Sequence, residues 1–97
     1  MKNIGQVAHL KEILLGMERD LNLGDLGRIE KNILYAATLL AEQNEHIDSE
    51  HIRTHGLIEG VPRSSFFRAL KRVVEAGYLA HLPGTQRSAY RLTGKPV

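Results

Sequence analysis

The first twenty or so residues carry apolar side chains at alternating spacings of three and four. This spacing predicts a helix from about residue 3 to residue 22 whose apolar positions form a narrow heptad-like seam. The seam residues are Val7, Leu10, Leu14, Met17 and Leu21. Two to three heptads are too short for a coiled coil to be stable unaided. We interpret the segment as a dimerisation helix, and the alternative is a helix packed on its own domain.

Two glycines, Gly24 and Gly27, interrupt this helix because closely spaced glycines disfavour a continuous helical backbone. A second helix is predicted over residues 26–43, with Asp25 as its candidate N-cap. Its apolar face consists of Ile29, Ile33, Leu34, Ala37, Leu40 and Ala41. The chain therefore divides into an N-terminal helix, residues 1–23, and a domain, residues 24–97.

The pattern next predicts a short helix capped by Asp48 or Ser49, a glycine-flanked turn, and a longer helix over residues 63–76. Pro62 suits the start of that longer helix, and Gly77 suits its left-handed end. Its buried stripe consists of Phe66, Ala69, Leu70 and Val73.

After Gly77 the period changes from helical to alternating. Residues 78–82 and 88–92 are predicted strands, and the Pro- and Gly-containing residues 83–87 connect them as a hairpin. The predicted fold class is mainly α with a small β-hairpin, in one domain preceded by the N-terminal helix.

Charge is distributed unevenly along the chain. The formal net charge is only +2, yet residues 1–24 sum to 0, residues 25–60 to −4 and residues 61–97 to +6. Such polarisation predicts one basic face, which is typical of nucleic-acid binding, although a solvated basic tail is the alternative.

Composition excludes several classes of protein. The 97 residues contain no cysteine, which excludes disulfides and thiolate metal sites. No apolar run approaches the length of a membrane span, and Lys11 and Glu12 argue against a signal peptide. We expect a cytoplasmic protein without membrane contact.

The order of predicted elements is that of a winged helix-turn-helix. The segment Val61–Leu79 resembles the recognition helix of winged-helix bacterial transcription regulators, and Arg87–Gly94 resembles the wing of MarR-like regulators. The resemblance implies a transcriptional regulator of repressor type that binds double-stranded DNA as a homodimer at the nucleoid.

This resemblance departs from the MarR-like pattern at two points. Thr85 and Gln86 stand where an aspartate usually precedes the wing arginine. MarR-like regulators also usually continue into long C-terminal helices that build their dimer, whereas the sequence here runs to Val97. We therefore expect the N-terminal seam to form the dimer.

A recognition helix in the major groove presents its N-terminal residues to base edges, while residues further along meet phosphates. The candidate DNA-binding residues on the helix are Arg63, Ser64, Ser65, Phe67, Arg68, Lys71 and Arg72, and those on the hairpin are Arg87 and Arg91. Arg63 suits guanine, and Arg87 suits a narrow minor groove. Phe67 has two interpretations, contact with a thymine methyl or packing against the protein. A single arginine has the alternative of a solvated surface charge.

Other chemistry has little support. His51 and His55 are four residues apart, as zinc ligands can be, but no complete ligand set accompanies them, so no metal or cofactor is expected. No phosphate-binding loop or paired nucleophile is present, so we expect no enzyme. A second function remains open, in which the acidic residues 42–59 form a protein-interaction site on a winged-helix module without a specific DNA target.

Overall fold

A computed structural model describes residues 3–44, 47–84 and 89–95 of the chain. The helices are α1 (Ile4–Asp20), α2 (Arg28–Ala41), α3 (Ser49–Arg53) and α4 (Arg63–Glu75), with a 3₁₀ turn at Gly56–Ile58. The strands are β1 (Ile47–Asp48), β2 (Leu79–His81) and β3 (Ala89–Leu92). A mainly helical fold with a small antiparallel sheet is therefore confirmed. Among the described residues, no helix is both long and apolar enough to cross a membrane.

The helix α1 forms where the heptad spacing predicts it. Its start is fixed by a reciprocal cap, because the Asn3 side chain accepts from the Gln6 amide at 2.9 Å while the Gln6 side chain accepts from the Asn3 amide at 3.1 Å. Glu18 is the only buried residue of α1, so this helix lies outside the hydrophobic core.

The core lies where α2, α3 and α4 meet the sheet. The predicted stripe of α4 is confirmed, since Phe66, Ala69, Leu70 and Val73 are all buried. From the other elements, the fully buried large side chains are Ile33, Ile47, Ile52, Ile58 and Leu79. Burying each such side chain stabilises the fold by about 1.5–3 kcal/mol.

The start of α2 differs from the prediction. Gly27, not Asp25, occupies the N-cap position, and the Glu30 side chain accepts from the Gly27 amide at 3.1 Å. The helix begins two residues later than predicted because Glu30, three residues after Gly27, supplies the acceptor for a free amide of the first turn.

The sheet has three strands in the order β1-β3-β2, all antiparallel. Ile47 pairs with Tyr90 in β1 and β3, and His81 pairs with Tyr90 in β2 and β3. The hairpin strands are confirmed, whereas the two-residue strand β1 is an addition to the prediction. Two residues are too few to show the alternation from which a strand is predicted.

Both predicted ends of α4 agree with the structure to within one residue. Pro62 stands at the N-cap, and its carbonyl accepts from the Phe66 amide at 2.9 Å. Gly77 has φ +92°, a left-handed conformation that glycine adopts without a Cβ clash. The Tyr78 amide then donates to the Val73 carbonyl at 3.2 Å, which ends the helix and turns the chain into β2.

Candidate nucleic-acid interface

The outer face of α4 is opposite the side that packs in the core. With 3.6 residues per turn, Ser64, Arg68 and Lys71 lie about half a turn from Phe66, Leu70 and Val73, and all three are exposed. The face continues to Glu75 in the last turn. The core therefore fixes which side chains α4 presents to solvent.

Arg68 and Lys71 are the two cations of this face without an acidic partner within the described ranges 3–44, 47–84 and 89–95. No carboxylate of those ranges lies within 4.0 Å of either side chain. Both therefore present a full positive charge to whatever approaches α4, which an anionic polymer would neutralise.

Arg63 is held between an acidic and an aromatic side chain. Its guanidinium lies 3.5 Å from a carboxylate oxygen of Glu50 in α3 and 5.0 Å from the ring centroid of Phe67. Glu50 also accepts two hydrogen bonds from Arg53, at 2.7 and 3.0 Å. The bonds from Arg53, followed by the charge of Arg63, lower the pKa of Glu50 below its ordinary value. This predicted base-contacting arginine is therefore positioned by α3 before any ligand binds.

Arg72 also has an intramolecular partner. Its guanidinium donates to Glu30 of α2 at 3.3 Å. Arg72, Glu30, Ser65 and Arg68 line one cleft between the N-terminus of α2 and α4, and Ser65 is half-buried there. Of the predicted residues on α4, Ser65 and Arg72 thus face α2, and Arg68 borders both this cleft and the exposed face.

Phe67 packs partly against the protein and partly faces solvent. Its ring meets that of Phe66 edge to face, with centroids 4.9 Å apart, and it is 36% exposed. With Lys71, His81 and Tyr90 it lines a second cleft, between α4 and the hairpin strands. Phe67 therefore packs against the protein, as its second interpretation expects, while part of its ring stays exposed to solvent.

The hairpin contributes one described candidate residue. Arg91 of β3 is exposed and pairs in register with Ala80 of β2. Arg87 lies outside the described residues, so its place at the hairpin tip stays a prediction. Of the predicted DNA-binding cations, the structure therefore describes those of α4 and Arg91.

The histidine pair does not form the ligand arrangement that a helix would create. The helix α3 ends at Arg53, so His55 lies beyond it, and its Nδ1 accepts from the Leu57 amide at 3.1 Å. In the part of the chain that the structure describes, no group of three His, Cys, Asp or Glu residues is arranged to hold a metal ion.

Four of the five predicted dimerisation residues lie exposed along α1, and the fifth, Leu21, is exposed at its C-cap. Leu21 is 36% exposed and Leu10 is 60% exposed, with Val7, Leu14 and Met17 between these values. Within the described chain, α1 is attached through Glu18, which accepts from Lys31 at 3.1 Å and from the Tyr35 hydroxyl at 2.5 Å. Val7, Leu10, Leu14 and Met17 therefore do not pack in the core of the described chain, whereas Leu21 lies beside α2, and dimerisation through the seam stays a prediction.

Two features of the surface were not foreseen. One is that Arg63 and Arg72 each pair with an acidic residue that is distant in sequence. Glu50 is 13 residues from Arg63, and Glu30 is 42 residues from Arg72. The other is an apolar groove of about 480 Å³ beside the end of α1, whose lining comes from α2, from β3 and the residues after it, from Tyr78 and from the chain that follows α1. Leu34, which the sequence predicts on the apolar face of α2, lines this groove, so the groove could have been inferred from that residue.

Comparisons of this chain with family models, with curated proteins and with solved structures gave no match.

Proposed function

We propose that this chain is a sequence-specific, double-stranded DNA-binding transcriptional regulator that acts as a dimer and is of the repressor type. In this proposal α2, α3, α4 and the sheet form a winged helix-turn-helix, with α4 in the major groove and the β2–β3 hairpin as the wing. The observation that carries the proposal is the outer face of α4, where Ser64, Arg68 and Lys71 project from a helix whose opposite side is buried.

The arrangement of elements supports the same proposal. A short helix, α3, and a turn precede α4, and a hairpin follows it directly after Gly77. The strand β1, just before α3, pairs with β3 and so joins the hairpin to the helices. An exposed helix of 13 residues is about 20 Å long, and the major groove, about 12 Å wide, admits such a helix.

The side chains divide by the contacts they suit. Arg63 is near the helix N-terminus, where base edges are met, and its fork of donors matches guanine O6 and N7. Arg68 follows one turn later and suits either a base or a phosphate. Lys71 and Arg72 lie further along and suit phosphates, which contribute affinity without sequence information. Arg91 suits the DNA backbone from the hairpin.

A titration by fluorescence anisotropy tests the proposal. Labelled 40-base-pair duplexes of random sequence are titrated with protein at several salt concentrations. We expect binding that weakens steeply with salt, and at least about fivefold weaker binding by Arg68→Ala. The matched control is Arg19→Ala, an exposed arginine of α1, which should bind like the unsubstituted protein. Absent binding, or binding that ignores salt, contradicts the proposal.

Sequence preference is tested on Arg63. On a preferred duplex, Arg63→Ala should cost about 1–3 kcal/mol and relax the preference at one base pair. Arg63→Glu should abolish retention on DNA. Retention by Arg63→Glu equal to that of the original protein would favour the interaction module instead. The structure gives little support to an interaction site on the acidic residues 42–59. Glu50, at the centre of that segment, already pairs with Arg53 and Arg63 of the same chain.

A further inference from the structure

The helix α1 carries more exposed apolar side chains than any other described element. Outside the seam, Ile4 is 86% exposed, Ile13 is 57% exposed and Leu15 is 46% exposed. Monomeric soluble proteins rarely leave contiguous apolar patches of more than a few hundred Å² uncovered. The exposed apolar surface of α1 is therefore typical of an interaction site.

A groove adjoins this helix at its C-terminal end. Leu21, the last seam residue, lines it together with Leu23, Leu34, Leu39, Tyr78 and Leu92. Leu39 is 47% exposed at the groove although it belongs to α2. The chain thus carries an apolar helix and an apolar groove that meet at Leu21.

The area of α1 shows that a pair of α1 helices alone makes a small interface. A helix of 17 residues is about 25 Å long, and a contact strip about 10 Å wide covers on the order of 250–400 Å². Stable interfaces bury about 800 Å² on each partner. A stable dimer therefore needs apolar surface beyond α1, and the groove offers it on the same side of the molecule as Leu21.

Charge and spacing favour a second copy of this chain as the occupant. Residues 1–24 have a net charge of 0, and the five seam residues are uncharged, so two copies of α1 meet without net repulsion. In an antiparallel pair, a positions face d positions. Val7 then meets Met17 of the partner subunit and Leu10 meets Leu14 of the partner subunit, on both sides of a two-fold axis.

We infer that two copies of this chain form a dimer through an antiparallel pair of α1 helices. In this dimer the first turn of each α1 lies in the apolar groove of the other copy. These pairs place the two-fold axis near residue 12, so Ile4, eight residues before the axis, lies beside Leu21 of the partner subunit, nine residues after it, at the groove. This covers the most exposed apolar side chain of α1 and the exposed side of Leu39 together. The inference gives the interface for the dimer of the proposed regulator and rests on that part of the proposal alone.

The solution mass of the full chain and of three variants tests the interface. Leu10→Asp changes the helix seam and Leu39→Asp changes the groove, whereas Leu57→Asp is the matched control, since Leu57 is 42% exposed on the 3₁₀ turn. In sedimentation equilibrium we expect a dimer for the original chain and for Leu57→Asp. Leu10→Asp and Leu39→Asp should each raise the dimer dissociation constant at least about tenfold. Circular dichroism checks that each variant is folded.

The contrary outcomes are distinct from one another. A monomeric original chain overturns the dimer and the inference, while a dimer that tolerates Leu39→Asp overturns the groove. DNA binding is measured separately by anisotropy, so its failure leaves these masses unchanged and is recognised on its own.

Cross-linking tests the direction of the helices, because the chain has no cysteine of its own. Val7→Cys and Met17→Cys proteins are oxidised separately and after mixing. An antiparallel pair should give a disulfide-linked dimer mainly in the mixture. Efficient linkage within each single variant would indicate parallel helices and overturn the inferred geometry.

Discussion

Replacing Lys71 by alanine should reduce the salt dependence of DNA binding by an amount that the structure sets. Lys71 lies on the outer face of α4 without a carboxylate partner in the described residues, so its charge is free to release a counterion from DNA. Each neutralised phosphate contributes about 0.9 to the slope of log affinity against log salt.

The magnitude follows from counting the cations of one surface. Arg68 and Lys71 alone, in two copies, predict a slope of about −3.6. If all four cations of α4 and Arg91 contact phosphates, the slope is about −9. Lys71→Ala removes one cation from each copy and should make the slope shallower by about 1.8, so the loss of affinity between 50 and 200 mM salt becomes about twelvefold smaller.

The assay is anisotropy on one duplex at 50, 100, 200 and 400 mM potassium chloride. Because Lys71 is assigned to phosphate, the change in slope should be the same on duplexes of different sequence. Arg19→Ala serves as the control with an unchanged slope. A Lys71→Ala slope equal to that of the original protein would refute the assignment of the outer face of α4 to DNA.

Three further predictions concern pairs and packing within the chain. Glu50→Gln removes the charge that engages Arg63 and should tighten DNA binding about two- to fivefold, and weaker binding in the anisotropy assay would contradict this. The hydrogen bond that Glu18 accepts from Tyr35 lowers the pKa of its carboxyl group, and Lys31 lowers this pKa further. The Glu18 carboxylate therefore stabilises the fold above about pH 4.5, and this stabilisation is lost as the pH falls through the depressed pKa. Urea unfolding should accordingly show a deficit for Glu18→Gln at pH 7 that shrinks below pH 4, and a constant deficit would contradict the linkage. Phe66→Ala should cost about 3–5 kcal/mol in the free energy of unfolding, whereas Phe67→Ala should cost clearly less because its ring is partly exposed, and equal losses would contradict the packing.

The helix α4 was predictable because its signals are local. Pro62 and Gly77 stand at its ends, and Phe66, Leu70 and Val73 mark its buried side within four turns. The outer face follows from the same period, so Ser64, Arg68 and Lys71 were found from the sequence. Exposure of the α1 seam was also part of the dimerisation hypothesis, since a narrow seam is typical of helices that pair.

The remaining features depend on contacts between distant residues. The strand β1 exists because Ile47 pairs with Tyr90, which lies more than forty residues further along the chain. The pairing of Arg63 with Glu50 and of Arg72 with Glu30 requires the packing of α4 on α3 and α2. The residue type of Asp25 predicts the cap of α2, but Gly27 occupies the N-cap position and the Glu30 side chain supplies the acceptor.

The proposed function requires that α4 reads DNA sequence in a two-fold symmetric dimer. Selection of bound duplexes from a random pool, followed by sequencing, tests it most directly. We expect an enriched palindrome with half-sites about one helical turn apart, and loss of that enrichment in Arg68→Glu. A pool that shows no enrichment, or the same enrichment with Arg68→Glu as with the original protein, would contradict it.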